Sequence, residues 1–194
     1  RPTTLKDNAT KQISLLSAPE IKIKKEFRLY GEDRYYRSRY GDPEQKKKVS
    51  VFIEFENAKA NGMGMPLPKG IVRVYKYDAD KSLQFTGEDT IDHTPKDEKV
   101  KIKLGEAFDI TATRKQTDWK KIASDTYEAA FEIALRNHKA EDVTVRVIEP
   151  VPGDWQMLSA SHKAVKTSAS QLEMNVPVAK DGEAMVAYRV RMRF

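Results

Sequence analysis

The strongest constraint on the fold of this chain is the two-residue alternation between Tyr127 and Trp155. In its first half, every second residue from 131 to 135 is large and apolar, and in its second half every second residue from 143 to 147 is valine. A period of two places each set on one face of a half-buried strand. The polar run Asn137–Asp142 separates the two sets. We therefore predict one β-hairpin here.

Similar short alternating runs, separated by polar turns, occupy most of the chain. They predict about eleven strands and no helix, which is typical of an all-β fold. We expect an immunoglobulin-like antiparallel β-sandwich, built either as one core or as two packed sandwich subdomains. The first strand is predicted at Gln12–Ser17, and Asp181–Gly182 predicts a tight hairpin near the end. The predicted organisation is a flexible lead-in at 1–10, a β-sandwich subdomain at 11–107 with long loops at 30–48 and 57–70, and an immunoglobulin-like subdomain at 108–194.

An internal similarity supports a repeated unit. Residues 51–60 align with residues 131–140, and both segments end a predicted strand at an asparagine, Asn57 and Asn137. Asparagine tolerates the left-handed backbone conformation that turns need. The two segments lie about 80 residues apart, which is compatible with a duplicated sandwich unit. Chance similarity between segments that each end a strand at a turn remains the alternative.

Composition limits the chemistry of the chain. It has 194 residues, no cysteine and a net charge of +6. The lack of cysteine excludes thiol nucleophiles, thiolate metal sites and disulfides. No run approaches the 18 or so apolar residues of a membrane-spanning helix. Because the sequence begins at Arg1 rather than methionine, we expect that a segment precedes it in the full protein.

The loop Tyr30–Lys48 is the strongest candidate for a binding site, because it combines tyrosines with arginines and has no strand or helix period. Long loops in compact domains are often functional. Guanidinium groups pair with phosphate or carboxylate, and aromatic rings supply stacking and contact area. The candidate residues are Tyr30, Arg34, Tyr35, Tyr36, Arg37, Arg39 and Tyr40.

Three interpretations of this loop are open at the sequence level. Its tyrosines could pack on the body of the protein, or the loop could bind a protein partner, or it could bind a polyanion or glycan. Under the binding interpretations, alanine at Tyr35, Tyr36 and Arg37 should weaken binding and leave thermal stability nearly unchanged. A large loss of melting temperature would instead indicate that the loop is part of the core.

Other chemistry is weakly indicated. The three histidines, His93, His138 and His162, all fall in predicted turns, and no metal-ligand spacing joins them. The acidic segments 78–80 and 88–92 fit ordinary turn chemistry better than a calcium loop. No serine-nucleophile elbow or glycine-rich phosphate loop is present. We therefore predict no catalytic residue, no metal and no cofactor.

Several segments resemble a known family. They are Gly64–Tyr75, Gly105–Asp109, Leu135–Lys139 with Glu149–Trp155, and Tyr188–Arg193. These segments are similar to the bacterial domain-of-unknown-function family 4139, the C-terminal β-rich domain of envelope or secreted proteins, some of them called mucoidy inhibitors. The resemblance covers most of the chain from about Gln12 onward. It implies an exported bacterial protein, periplasmic or extracellular, with an N-terminal region before this chain.

Together these observations predict a non-enzymatic interaction or structural module. Its expected partner is either the preceding region of the same protein or another envelope protein. The alternative is a β-sandwich domain that binds a glycan or polyanion. We expect no nucleic-acid partner and no membrane span.

Overall fold

The computed structural model describes residues 16–39 and 45–194, and in these residues the protein is all-β, as predicted. The lead-in at 1–10 and most of the strand predicted at Gln12–Ser17 lie outside the described residues. Two short 3-10 helices, Asp33–Tyr36 and Lys59–Asn61, accompany the strands. The strands are β1 (Lys24–Tyr30), β2 (Gln45–Glu56), β3 (Gly70–Tyr77), β4 (Leu83–Ile91), β5 (Lys99–Lys121), β6 (Thr126–Asn137), β7 (Val143–Pro150), β8 (Asp154–Ala160), β9 (Ala164–Ser168), β10 (Gln171–Val178) and β11 (Gly182–Arg193).

Nine of these strands form one sheet, and the other two form a separate hairpin. The order in the large sheet is β8-β11-β6-β5-β2-β1-β7-β10-β9, while β3 pairs with β4 alone. The pairing of β1 with β7 is parallel, with Phe27 opposite Val145, and the remaining pairs are antiparallel. The sheet is therefore mixed, and the prediction of a wholly antiparallel arrangement is wrong at this one pair.

The hairpin predicted from the alternation between Tyr127 and Trp155 is wrong. Both strands are present, but β6 pairs with β5 and β11, whereas β7 pairs with β1 and β10. The same holds at Asp181–Gly182, where the turn joins β10 to β11 but the two strands do not pair with each other. A period of two shows which face of a strand is buried, but it does not show which strand lies beside it.

The two segments predicted as subdomains share one sheet and one core. Strand β5 runs without interruption across the predicted boundary at residues 107 and 108. At Gly105 its backbone has a φ of +134°, which favours glycine, and its register against β2 shifts at the same place. The core combines Phe27 and Val49 of the first segment with Phe131 and Val145 of the second.

The two edges of the large sheet lie close together. The edge strands β8 and β9 are joined by only three residues, 161–163. The indole Nε1 of Trp155, in β8, donates a hydrogen bond of 2.8 Å to the carbonyl of Ala169, just after β9. Lys166 of β9 also places its ammonium 4.5 Å from the centre of the Trp155 ring. The sheet is thus nearly closed around its core, with Trp155 bridging the remaining gap.

The two asparagines of the internal similarity have the same structural role. Asn57 and Asn137 are buried at the ends of β2 and β6. The amide of Asn57 donates to the carbonyls of Met65 and Pro95, and its oxygen accepts from the N–H of Gly64. Neither asparagine has the positive φ that the sequence suggested. Each instead fixes the following loop through side-chain hydrogen bonds.

Replacement of Asn137 by aspartate tests this role. The Asn137 Nδ2 donates to the carbonyls of Glu141, Val178 and Ala179, at 2.8, 3.4 and 3.0 Å. A carboxylate cannot donate these bonds, so we expect the free energy of unfolding to fall by about 2–3 kcal/mol. Denaturant unfolding would measure the change, with exposed Asn175→Asp as the control, expected within about 0.5 kcal/mol of wild type. Equal stabilities for the two variants would contradict the assigned role.

Candidate interaction surface

The predicted binding loop is shorter and more buried than the sequence suggested. Strand β1 includes Tyr30 and β2 begins at Gln45, so the lysine triplet 46–48 belongs to a strand. Between them, the 3-10 helix Asp33–Tyr36 turns its two tyrosines inward. Tyr35 and Tyr36 are only 2% and 0% exposed. Neither ring is available to a ligand, so their assignment as binding residues is wrong: both belong to the core.

Tyr36 belongs to a buried polar network. Its hydroxyl donates to Oε2 of Glu149 at 2.7 Å and lies 2.7 Å from the hydroxyl of Tyr188. Arg114 completes the network through an ion pair with Glu149 and a hydrogen bond of 2.8 Å to the Tyr188 hydroxyl. Gly31 is the neighbour that makes room, because a Cβ at this position would collide with the Glu149 carboxylate. The four members lie on the 3-10 helix, β5, β7 and β11, and their side chains connect these four elements inside the core.

Aromatic rings and the Glu149 carboxylate surround the buried Arg114 guanidinium and stabilise its charge. The Arg114 guanidinium carbon lies 4.4 Å from the ring centres of Tyr35 and Phe131, a cation–π arrangement. Burial alone would lower the pKa of Arg114, but the adjacent Glu149 carboxylate raises it well above its usual value. Burial and then the charge of Glu149 raise the pKa of the Tyr36 hydroxyl. The network therefore joins the Arg114–Glu149 ion pair to two tyrosine hydroxyls, all held away from solvent.

Tyr35 connects the same 3-10 helix to the preceding residue Glu32 and to β2. Its hydroxyl donates to Oε1 of Glu32 at 2.7 Å, and the ammonium of Lys47 donates to the same oxygen at 2.9 Å. The hydrogen bond from Tyr35, followed by those from Lys47 and Arg34, lowers the pKa of Glu32 to about 2. Lys47 also lies 4.8 Å from the Tyr35 ring centre. The tyrosine is thus bonded to its own loop and to β2.

The exposed candidates do not form one surface with the tyrosines. Tyr30 is 44% exposed and packs edge-on against Phe52, with the ring centres 6.5 Å apart. Arg34 and Arg37 are exposed but form ion pairs with Glu32 and Asp33. Arg39 is exposed, and Tyr40 lies outside the described residues. Among the described residues of this loop, 30–39 and 45–48, the tyrosines and arginines therefore do not form the interleaved surface that the sequence suggested.

The hairpin β3–β4 presents an apolar surface that the sequence did not single out. On its outward face, Tyr75 packs against Phe85 with ring centres 5.6 Å apart, and Tyr77 lies opposite Leu83. These four side chains are between 48% and 69% exposed, and Ile71 on the same face is 59% exposed. We call this set the hairpin face: Ile71, Arg73, Tyr75, Tyr77, Leu83, Phe85 and Glu88.

The opposite face of this hairpin is directed toward the large sheet. Val72 and Val74 are partly buried, and Gly87, opposite Val74, is buried. A Cβ on Gly87 would collide with the carbonyl of Leu104 in β5, so the glycine permits close backbone contact. Asp89 accepts a hydrogen bond of 2.8 Å from the N–H of Lys103. The hairpin is therefore attached by its valine face, and its aromatic face is directed outward.

This arrangement reverses the usual polarity of a sheet surface. A solvent-facing strand face is normally polar, with the apolar residues turned inward. A tyrosine or phenylalanine side chain can bury about 150–250 Å², so five half-exposed side chains present on the order of 600 Å² of largely apolar surface. Contiguous exposed patches above a few hundred Å² typically mark interaction sites.

Two other charged surfaces, the arginine face of β11 and a groove beside β1, contain internal ion pairs. Arg189, Arg191 and Arg193 of β11 bond to Asp118, Glu128 and Asp125 on neighbouring strands and loops. A polar groove of about 690 Å³ crosses β1, β7 and β10, and Glu26 lies in it. Burial would raise the pKa of Glu26, but hydrogen bonds from Arg28 and Lys24 outweigh it and hold the pKa at about 2. The Glu26 carboxylate in this groove is therefore already paired with basic side chains of the same protein.

Two of the three histidines, and the acidic turn at 78–80, have local structural partners. His93 accepts a hydrogen bond of 3.3 Å from the N–H of Lys69, and His162 lies 2.9 Å from the Ser161 hydroxyl. Asp78 and Asp80 bond to N–H groups of their own turn, as the turn interpretation predicts. Within the part of the chain that the structure describes, no group of three or more potential ligands could hold a metal ion.

The fold and surface define an all-β protein with a nearly closed mixed sheet and an outward-facing aromatic hairpin. Compared with protein-family models and with curated proteins, the chain matches none. The resemblance to family 4139 therefore stays a prediction from the sequence. Among residues 16–39 and 45–194, no helix has the length and hydropathy needed to cross a bilayer.

Proposed function

We propose that this protein is a non-enzymatic module that binds another protein through the hairpin face. The observation that supports this function is the reversed polarity of β3–β4, which directs Tyr75, Tyr77, Leu83 and Phe85 toward solvent. Aromatic side chains are enriched in the central regions of protein interfaces, because they give large contact areas at low entropic cost. We keep the docking function predicted from the sequence, but we assign it to the hairpin face instead of the loop Tyr30–Lys48.

The setting of this function is also a proposal. The resemblance to family 4139 supports a bacterial envelope location, periplasmic or extracellular, and partners that include an envelope protein or the preceding region of the same protein. The finer assignment as an immunoglobulin-like sandwich is supported by the β6–β7 and β10–β11 connections. Each joins strands that do not pair, as required where a chain passes between two layers.

A triple serine variant tests the proposed function. We expect Tyr77→Ser/Leu83→Ser/Phe85→Ser to weaken protein binding at least about tenfold, corresponding to about 1.4 kcal/mol. The assay would immobilise the purified chain and measure its binding to a solubilised bacterial envelope protein fraction and to free chain. Binding by apolar contact should persist at high salt, whereas binding to a polyanion should fall steeply. Melting temperatures should stay similar, because the replaced side chains are exposed.

The matched control removes three exposed apolar side chains elsewhere. Ile122, Val165 and Met185 are about as exposed as the hairpin residues, at 52%, 46% and 49%. The variant Ile122→Ser/Val165→Ser/Met185→Ser should bind as the wild type does. Absence of protein binding by the wild type, or equal binding by the hairpin variant, would overturn the proposal. Binding that is lost at high salt but unaffected by the hairpin variant would favour the glycan or polyanion alternative.

A further inference from the structure

We infer that the occupant of the hairpin face is a second copy of this chain, so that the module forms a two-fold dimer. The inference rests on the proposed function, because it names the partner of the same surface. It is based on the pairing of residues across the hairpin, on the distribution of charge and on the size of the face. An envelope protein and the preceding region of the same protein are the competing occupants.

The hairpin face is complementary to itself. A two-fold axis parallel to the strands, lying between two stacked hairpins, places β3 of one copy over β4 of the other. Tyr77 then lies over Leu83 of the second copy, and Tyr75 lies over Phe85, so apolar meets apolar on both sides. The same operation places Arg73 over Glu88 of the second copy. The symmetry of a two-fold interface requires such matching, because one patch must bind its own image.

The exposed ion pair favours this arrangement over an unrelated apolar partner. Arg73 Nε lies 2.9 Å from Glu88 Oε2, and the two side chains are 57% and 48% exposed. They lie on the same face as Tyr75 and Phe85, so a partner that covers the rings also approaches both charges. A purely apolar partner would remove water from these charges and leave each of them only its partner in the same chain. A second copy supplies the opposite charge to each of them.

The charge distribution is also compatible with contact between two copies at the hairpin. The whole chain has a net charge of +6. Residues 70–91 contain three basic and four acidic residues, a net charge of −1. The remaining residues therefore carry a net charge of +7 (+6 minus −1), so an approach through the hairpins does not bring the excess positive charge of the two copies together.

The size of the face sets the expected strength of the dimer. Two faces of on the order of 600 Å² each bury on the order of 1,200 Å² in total, which is the lower end of standard-size interfaces. We therefore expect a reversible dimer that depends on concentration.

The decisive experiment reverses one charge at a time. The Arg73→Glu chain has two acidic residues on the hairpin face, and the Glu88→Arg chain has two basic residues there. Each variant alone brings like charges together in the dimer, so we expect its dissociation constant to rise at least about tenfold at low ionic strength. An equimolar mixture of the two variants should form a heterodimer with near wild-type affinity. Sedimentation velocity over a range of concentrations would measure all three samples.

The controls separate this inference from folding and from the proposed function. Arg136 and Glu183 form a comparable exposed cross-strand pair on β6 and β11, 47% and 45% exposed, and Arg136→Glu should not change self-association. A wild type that stays monomeric at about 200 μM, well above micromolar affinity, would overturn the inference. So would a mixture of the two variants that stays monomeric, or a dimer that persists in the triple serine variant. Hairpin-dependent binding of an envelope protein by a monomer would overturn the dimer but leave the proposed function standing.

Discussion

Replacement of Glu149 by leucine is expected to lower the free energy of unfolding by about 3–5 kcal/mol, because it leaves the buried Arg114 charge without its partner. The two side chains are 5% and 0% exposed, so water cannot take over the role of the lost carboxylate. The hydroxyl of Tyr36 would lose its acceptor at the same time. Denaturant unfolding at neutral pH would measure the loss.

The reciprocal change and the double variant define what the pair contributes. Arg114→Met should lower the free energy of unfolding by about as much as Glu149→Leu, since it leaves the buried Glu149 carboxylate without its partner. The double variant Arg114→Met/Glu149→Leu should cost less than the two single changes added together, because neither charge is then buried alone. Arg136→Met, in an exposed pair with Glu183, is the control and should cost no more than about 1 kcal/mol. A loss below about 1 kcal/mol for Glu149→Leu would contradict the assigned role.

Alanine in place of Tyr36 is the second change with a large expected effect, about 3–5 kcal/mol. The ring is fully buried against Phe131, with the ring centres 5.0 Å apart, so its removal leaves a cavity in the core. Tyr36→Phe keeps the ring but removes the hydroxyl from Glu149 and Tyr188, and should cost about 1–3 kcal/mol.

The exposed neighbour provides the control for Tyr36. Arg37 has a side chain that is 60% exposed and an ion pair with Asp33, so Arg37→Ala should change stability by no more than about 1 kcal/mol. Thermal unfolding would compare the three variants. The result also decides between the interpretations of the loop, because binding residues on a surface should tolerate alanine at Tyr36. An unchanged melting temperature for Tyr36→Ala would show that the tyrosine is not part of the core.

The period-two pattern predicted the all-β class and most strand positions, because it follows directly from which residues face the core. It could not predict the neighbours of a strand. Strands β6 and β7 follow each other closely in sequence, yet they do not pair: β6 lies between the preceding β5 and the distant β11, and β7 lies between the distant β1 and β10. Pairing is decided by the closure of the whole sheet around one core, and no local pattern records it.

The buried network was missed for a related reason. Tyr36 and its acceptor Glu149 are 113 residues apart, so neither segment shows that the other exists. An aromatic residue among arginines has the same local pattern whether it binds a ligand or buries its ring beside a distant carboxylate. The composition of Tyr30–Lys48 therefore suggested that its tyrosines face a ligand, whereas Tyr35 and Tyr36 face the core.

The hairpin face could have been suspected from its sequence. In Ile71-Val-Arg-Val-Tyr-Lys-Tyr77, apolar or aromatic residues occupy both faces of the strand. Such a strand needs either burial on both sides or an external partner. The sequence alone favours burial, because the attachment of β4 at Gly87 cannot be read from it. Only the outward direction of Tyr75 and Tyr77 distinguishes the two possibilities.

The buried tyrosine pair has a consequence for the order in which the chain can fold. The hydroxyls of Tyr36 and Tyr188 meet across 152 residues of sequence, and β1 is paired in parallel with β7. During synthesis from the N-terminus, β1 and the 3-10 helix that follows it emerge long before β7 and β11, the strands that complete their surroundings. Native contacts of such high sequence separation make folding slow. The ribosome must therefore release nearly the whole chain before its core can form, and until then its early segments depend on protection from aggregation.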